Sequence, residues 1–273
     1  MASSVSQQAY LSAVDKLAAE TGSATAAQLA TVADEVLSVA ALLRAQPALR
    51  RALTDPARPG TERAELLRSL LAGKLSQATV DTLTTLVSGR FGQPSELLDV
   101  TERLGAEVVL RSAEKAGILA DVEDELFRFG QIVDGNAELA VTLSDPGAPT
   151  SRRVKLVEDL LKGKAQPATL RLVEVALEGF LGRSFDSSLT RLVELTAAKR
   201  DREVAYVTVA KPLGDADEQA LAAKLSEIYD RPVSLKVDVD PAVIGGVSVR
   251  VGSDLYDGTI VRRLNAARQA FAK

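Results

Sequence analysis

Between residues 10 and 200, apolar positions recur every three or four residues, the spacing that collects side chains on one face of an α-helix. Val32, Val36, Leu37, Val39, Ala40 and Leu43 trace one such stripe, and Pro47 marks its break, because proline lacks an N–H and clashes with the preceding turn. Asp55-Pro56 and Pro59-Gly60 signal a turn, followed by a short amphipathic helix over Thr61–Leu71 that Gly73 stops. Another helix is predicted over Gln77–Phe91, closing near Gly89 and Gly92, and a long one from an N-cap at Ser95 to Ala116. After Arg200 the pattern changes. Glu203–Val209 is rich in Val and reads as a strand. Asp215–Tyr229 reads as a helix, with Asp215 and Glu218 as a capping-box-like pair and Leu221, Leu225 and Ile228 as its apolar stripe. Val233, Leu235, Val237 and Val239 alternate with polar residues, as do Val247, Val249 and Val251, the period of half-buried strands. Pro241–Gly246 is short enough to join these two as an antiparallel pair. Asp257-Gly258-Thr259 turns the chain into a last helix carrying Ile260, Leu264, Ala267 and Phe271 on one side.

A shift of ninety residues reveals an internal repeat. Comparing 53–92 with 143–182 without gaps, fourteen of forty positions are identical, among them Asp55/Asp145, Pro56/Pro146, Pro59/Pro149, Arg63/Arg153, Gly73/Gly163, Lys74/Lys164, Thr79/Thr169 and Gly89/Gly179. Turn residues coincide as well as apolar ones, which an Ala/Leu-rich composition alone would not produce. Upstream, Val32-Ala33-Asp34-Glu35 keeps the same shift against Val122-Glu123-Asp124-Glu125. The expected fold is mainly α: two tandem helical-bundle domains over 1–104 and 105–200, joined near Gly105, then a small α/β (β-α-β-β-α) domain over 201–273. Two copies are too few for an open solenoid, so each is expected to carry its own core.

Composition narrows the chemistry. The 273 residues are 46% apolar and 26% charged, enough apolar surface for real cores and against wholesale disorder. Cys and His are both 0, which excludes disulfides, thiol nucleophiles, zinc sites built on His or Cys, and a Ser-His-Asp triad. Aromatics are 4% with no Trp, and the net charge is −4, so neither stacking platforms for single strands nor a basic face for duplexes is expected. The apolar stretch around Val36–Leu43 is too short to cross a bilayer, and the first residues lack the basic and apolar regions of a secretory signal. A chain without Cys fits the cytosol.

Gly73-Lys74 and Gly163-Lys164 fail as phosphate loops: Arg68 and Glu158 stand where the first Gly is needed, and Leu75 and Ala165 where a hydroxyl is needed. Helix capping by Gly explains them. Gly245-Gly246 is followed by no dinucleotide fingerprint and reads as backbone geometry. The acidic runs Asp34-Glu35 and Asp121–Glu125 do not converge on one ion and read as a solvated face. Arg262, Arg263 and Arg268 read equally as an anionic docking surface or as favourable charge near a helix C-terminus. No catalytic, cofactor or metal site is expected. The helices at Gln77–Phe91 and Gln166–Leu181 carry more apolar surface than one stripe needs. Either they are buried on several sides, or they line a groove for a partner's amphipathic helix.

The C-terminal run Asp240-Pro241-Ala242-Val243-Ile244-Gly245-Gly246-Val247-Ser248-Val249-Arg250-Val251-Gly252, followed by Leu255-Tyr256-Asp257-Gly258-Thr259 and Arg262-Arg263-Leu264, resembles the signature of the ATP synthase delta subunit family, whose mitochondrial counterpart is the oligomycin-sensitivity-conferring protein. Gly245, Gly246, Gly252, Asp257, Gly258, Thr259 and Arg262 carry the resemblance as structural residues. It runs from about Gly105 to Lys273, and residues 1–104 are similar to an extra copy of the family's N-terminal helical domain, as in actinobacterial members. With no anchor segment in the sequence, the resemblance implies the form not fused to a stalk subunit. It further implies a non-catalytic stator at the cytoplasmic face of the cell membrane. The helical domains would bind N-terminal helices of alpha subunits, and the C-terminal domain the b-type peripheral stalk. Family members use the first and fifth helices for the alpha contact, which points to Leu83, Leu86 and Val87 in one copy and Leu172, Val173 and Leu177 in the other. A free-standing helical adaptor that binds amphipathic helices is the alternative.

Overall fold

A computed structural model describes residues 4–258, apart from 146, 201, 202, 231, 242, 244, 252 and 253. The helical part runs α1 (Ser4–Thr21), α2 (Ala26–Ala45), α3 (Pro47–Thr54), α4 (Gly60–Leu71), α5 (Gln77–Ser88), α6 (Pro94–Lys115), α7 (Leu119–Asp134), α8 (Ala137–Ser144), α9 (Thr150–Leu161), α10 (Pro167–Leu177), a 3-10 turn (Phe180–Gly182) and α11 (Phe185–Lys199). The remainder is β1 (Glu203–Val209), α12 (Asp215–Tyr229), β2 (Val233–Val239), β3 (Val247–Val251) and β4 (Asp254–Asp257). The described residues form two compact units, one of those up to 126 with 136–192, the other of 127–135 with those from 193 on.

In the first unit the ninety-residue shift acts on whole helices. Adding 90 to the starting numbers 4, 47, 60 and 77 of α1, α3, α4 and α5 gives 94, 137, 150 and 167, the starts of α6, α8, α9 and α10. The same shift takes α6 itself to 184, next to the start of α11. α6 is therefore both the last helix of the first set and the first helix of the second. Residues 104 and 105 lie in its middle, so the repeat changes over inside a continuous helix. Leu97, Val100, Leu104, Ala106, Val108 and Leu110 are all buried, as a helix packed on every side requires. A Cβ at Gly105 would come within 2.4 Å of Leu37 Cδ2, so α2 and α6 pack too closely there for any side chain.

The helix ends follow local chemistry. Gly73 (φ +71°) and Gly163 (φ +70°) take the left-handed conformation just past α4 and α9. The N–H groups of Ala72 and Lys162 donate back to Arg68 O and Glu158 O at 2.8 and 2.9 Å. The Gly-Lys pairs are thus C-terminal caps. Other boundaries differ from the sequence reading. α6 begins at Pro94 with Gln93 as its N-cap, so Ser95 lies inside the helix; proline suits a first helical position because that N–H has no partner in any case. α5 stops at Ser88 and α10 at Leu177, short of Phe91 and Leu181, and beyond α10 the left-handed Gly179 and Leu181 turn the chain. α12 is capped by Gly214 without a side-chain bond, and Asp215, Asp217 and Glu218 instead place negative charge on the positive end of the helix dipole. Ile228 is 55% exposed, leaving Leu225 as the buried anchor of that helix.

α2 spans 20 residues and contains an 18-residue stretch with a mean hydropathy of 1.5, long and apolar enough on composition to cross a membrane. Here Val36, Leu37, Ala40 and Leu43 are buried inside the helical unit.

The second unit is built on a sheet of order β2-β1-β3-β4. β1 pairs parallel with β2 and antiparallel with β3, so β2 and β3 are not neighbours and the expected β2–β3 hairpin does not form. A parallel pair needs a crossover, which α12 supplies between β1 and β2, and β3 then takes the free edge of β1. β4 pairs antiparallel with β3 and was not foreseen; four residues are too few to show alternation. One face of the sheet packs Ala205, Val207, Val209, Val249 and Val251 against Leu225 of α12. On the other, Tyr206 lies between its cross-strand partners Lys236 and Arg250. Phe127 of α7 sits 6.4 Å from the Tyr206 ring, with Lys236 Nζ 5.5 Å from the Phe127 centroid and Arg250 Cζ 4.6 Å from that of Tyr206. Gln131 Nε2 donates to Val237 O at 3.1 Å.

Candidate functional site

The fifth helix of each set, α5 and α10, is positioned by a carboxylate from the second. Glu35 of α2 accepts from Ser76 N–H at 2.9 Å, from the Ser76 hydroxyl at 2.5 Å, and from the Thr79 hydroxyl. Glu125 of α7 accepts from Gln166 N–H at 2.9 Å and from the Thr169 hydroxyl. Each carboxylate satisfies orphan donors at a helix start and places negative charge on the positive end of its dipole. Glu35 and Glu125 therefore do not belong to a solvated face. The sequence repeat aligns them ninety residues apart, but it aligns Asp34 with Asp124 equally, so only the fold separates the capping carboxylates from their acidic neighbours.

Leu83, Leu86 and Val87 on α5, and Leu172, Val173 and Leu177 on α10, are all buried, none more than 3% exposed. They fasten the fifth helices into the unit and present no surface to a partner while those helices stay in place. Burial on several sides is the reading the structure supports for α5, whose Thr79, Val80, Thr82, Leu83, Thr84, Leu86 and Val87 are all covered.

α10 is different. Between α6, α10 and α2 lies a groove of about 380 Å³, with Val109, Ala113 and Ala116 from α6, Ala168 and Leu170 from α10, and Ala30 and Ala33 from α2. Small side chains on α2 leave the space open. Arg171 marks its rim, paired with Asp34 at 2.8 Å and Glu174 at 2.7 Å. Ninety residues earlier, Ala19 on α1 and Ser23 just beyond it replace Val109 and Ala113, and on α5 Asp81 replaces Arg171 and Thr84 replaces Glu174. Val80, the counterpart of Leu170, is buried. The two copies thus keep one scaffold but differ in the surface along the first and fifth helices. The sequence reading allowed for a groove along α10 but named residues that face inward, because periodicity marks which positions are apolar and packing decides which of them stay open.

Of the signature residues, Gly245 (φ +116°) and Gly246 (φ +87°) adopt backbone conformations that favour glycine just before β3, as the geometric reading expected. Asp257 ends β4 opposite Ser248, and Gly258 N–H donates to Val247 O at 2.9 Å. Gly252, Thr259 and Arg262, and the helix expected over 260–271, lie outside the described residues.

The sequence profile of the family described as ATP synthase delta (OSCP) subunit matches twice, over 7–107 and 103–271, and the matches overlap within α6. The chain is similar to proteins named ATP synthase subunit delta: 58% identical to that of Salinispora arenicola and 57% to that of Salinispora tropica, each over 100% of both chains. It is 43% identical to that of Streptomyces griseus, over 98% of this chain and 99% of the relative. Among solved structures, a chain of the Toxoplasma gondii mitochondrial ATP synthase hexamer aligns with a TM-score of 0.37 and 17% identity, over 63% of this chain and 97% of that one.

Proposed function

The chain belongs to the ATP synthase delta (OSCP) subunit family, in a form that carries the family's helical domain twice, and from that premise we propose that it is a non-catalytic stator subunit that ties the catalytic alpha/beta hexamer to the b-type peripheral stalk. Held peripherally at the cytoplasmic face of the cell membrane, it resists the torque of the rotor so that rotation becomes conformational work on the nucleotide sites. The helical repeats, 1–104 and 105–200, face the hexamer, and the module over 201–273 meets the stalk. No cofactor takes part.

The observation that carries this reading is the open apolar groove beside α6 and α10, the first and fifth helices of the second repeat. An amphipathic helix from the N-terminus of an alpha subunit would lay its apolar face on Ala30, Ala116, Ala168 and Leu170, the groove residues that stay open, and leave its polar face to solvent. A stator must stay attached under sustained load. Buried apolar contact slows dissociation, whereas rim charges mainly govern the rate of encounter. The seam along α1 and α5 is more polar, so the second repeat is the stronger alpha site.

Titrating an alpha N-terminal peptide against the full chain tests this. Leu170→Glu is expected to weaken binding by roughly tenfold or more, since it buries an unpaired charge where apolar surface was gained. Asp81→Ala on α5 is expected to leave binding unchanged. Equal affinity for the Leu170→Glu variant would overturn the assignment of the groove.

A further inference from the structure

We infer that Arg44, Glu102 and Glu178 form a latch that locks the two helical repeats into one rigid body. Arg44 stands in the last turn of α2, in the first repeat. Its Nη2 donates to Glu102 Oε1 on the shared helix α6 at 2.6 Å, and its Nη1 donates to Glu178 at the C-terminal cap of α10, in the second repeat. The other oxygen of Glu102 accepts Leu181 N–H at 2.8 Å, in the turn that follows α10. One guanidinium and one carboxylate thus join the end of α2, the middle of α6 and the end of α10. Arg50 Nη1 donates to the Leu43 and Arg44 carbonyls at 2.6 and 3.1 Å and braces the end of α2 beside them.

The repeat itself separates this network from the parts that build a bundle. The Glu35 cap recurs as Glu125. No member of the latch recurs: a ninety-residue shift takes Arg44 to Asp134, Glu102 to Leu192 or back to Ser12, and Glu178 to Ser88. Each repeat forms its helices without these three residues, and they meet only at the junction. The Arg171–Asp34 pair, 2.8 Å, links the same two helices across the groove, and the counterpart of Arg171 is Asp81, so it too is specific to the junction.

The chemistry suits a latch. The Glu102 side chain is 3% exposed and is held by two kinds of donor, an Arg guanidinium and a backbone N–H. Desolvation works against Arg44, yet Glu102 and Glu178 together keep its guanidinium above its ordinary pKa. Removing one partner of so enclosed a pair leaves a charge without compensation. Glu178 is 37% exposed and forms the outer arm, which can be cut without disturbing the core.

Amide hydrogen exchange on the full chain tests the latch. Glu178→Ala should speed exchange by about two- to fivefold over 167–182 and at the end of α2. Over α3, α4 and β1–β4 the rates should not change. Arg44→Met should act on the same segments by on the order of a hundredfold, because Glu102 is left buried and unpaired. If Arg44→Met does not fold, the Glu178→Ala result decides. Unchanged rates over 167–182 in Glu178→Ala, or a rise spread evenly over the whole helical unit, would overturn the inference.

Discussion

Glu102 and Glu35 are carboxylates on neighbouring helices with opposite surroundings. Glu35 reaches the open start of α5, whereas Glu102 lies inside, against the turn after α10. Burial is the largest influence on Glu102 and raises its pKa above the ordinary 4.5, outweighing the Leu181 N–H and the Arg44 guanidinium. Native Glu102 therefore keeps its proton to a higher pH than the unfolded chain does. Between those two values the native state binds more protons, so this residue makes stability fall as pH rises through the window just above 4.5. Glu102→Gln removes the titration. Denaturant unfolding at a series of pH values should show the stability of wild type relative to Glu102→Gln increasing as pH is lowered through that window. A difference that stays flat or shrinks would contradict the assignment. None of this was legible in the sequence. Glu102 is one of many charged residues at helical spacing, and its partners come from positions 44 and 181. The caps at Glu35 and Glu125 were half legible: the repeat aligned them, but only the fold shows that they meet the starts of α5 and α10.

At the scale of elements, sequence reading located the helices and missed several of their ends. Gly73 and Gly163 were legible because a helix that stops on glycine leaves a local signature. The early ends of α5 and α10 were not, since apolar residues continue past them into turns fixed by tertiary contact; a Cβ at Gly89 would come within 2.4 Å of Ala9 Cβ. The strand order was illegible for a related reason. Alternation marks β2 and β3 as strands but does not say that β1 lies between them. One pair of substitutions separates the roles of helical and capping glycines. Gly73 has a φ of +71° with open space around it, and Gly130 lies within α7, also in open space. Gly73→Ala should cost roughly 1–2 kcal/mol because alanine is strained in the left-handed region. Gly130→Ala should stabilise by roughly 0.5–1 kcal/mol through helix propensity. Thermal or denaturant unfolding of the two variants measures both, and the same sign for both would contradict the cap assigned to Gly73.

At the scale of the whole molecule, the duplication is the organising fact. Its existence was plain from the fourteen identities and from turn residues recurring in register. What the sequence did not show is that the repeats share α6, so a cut at 104/105 would sever a helix buried on every side. The residues proposed from helix order, Leu83, Leu86, Val87, Leu172, Val173 and Leu177, were recognised as apolar; that they face inward depends on neighbours distant in sequence. A stator that transmits force gains from continuity of this kind. A helix common to both repeats, together with the ion pairs at Arg44 and Arg171, removes the linker at which two independent bundles would bend. The measurement that tests the account most directly is proton-driven ATP synthesis by membrane particles stripped of this chain and then resupplied with it. The account predicts that stripped particles still hydrolyse ATP but synthesise none, and that adding the chain back restores synthesis. Synthesis at the full rate without the chain would contradict it.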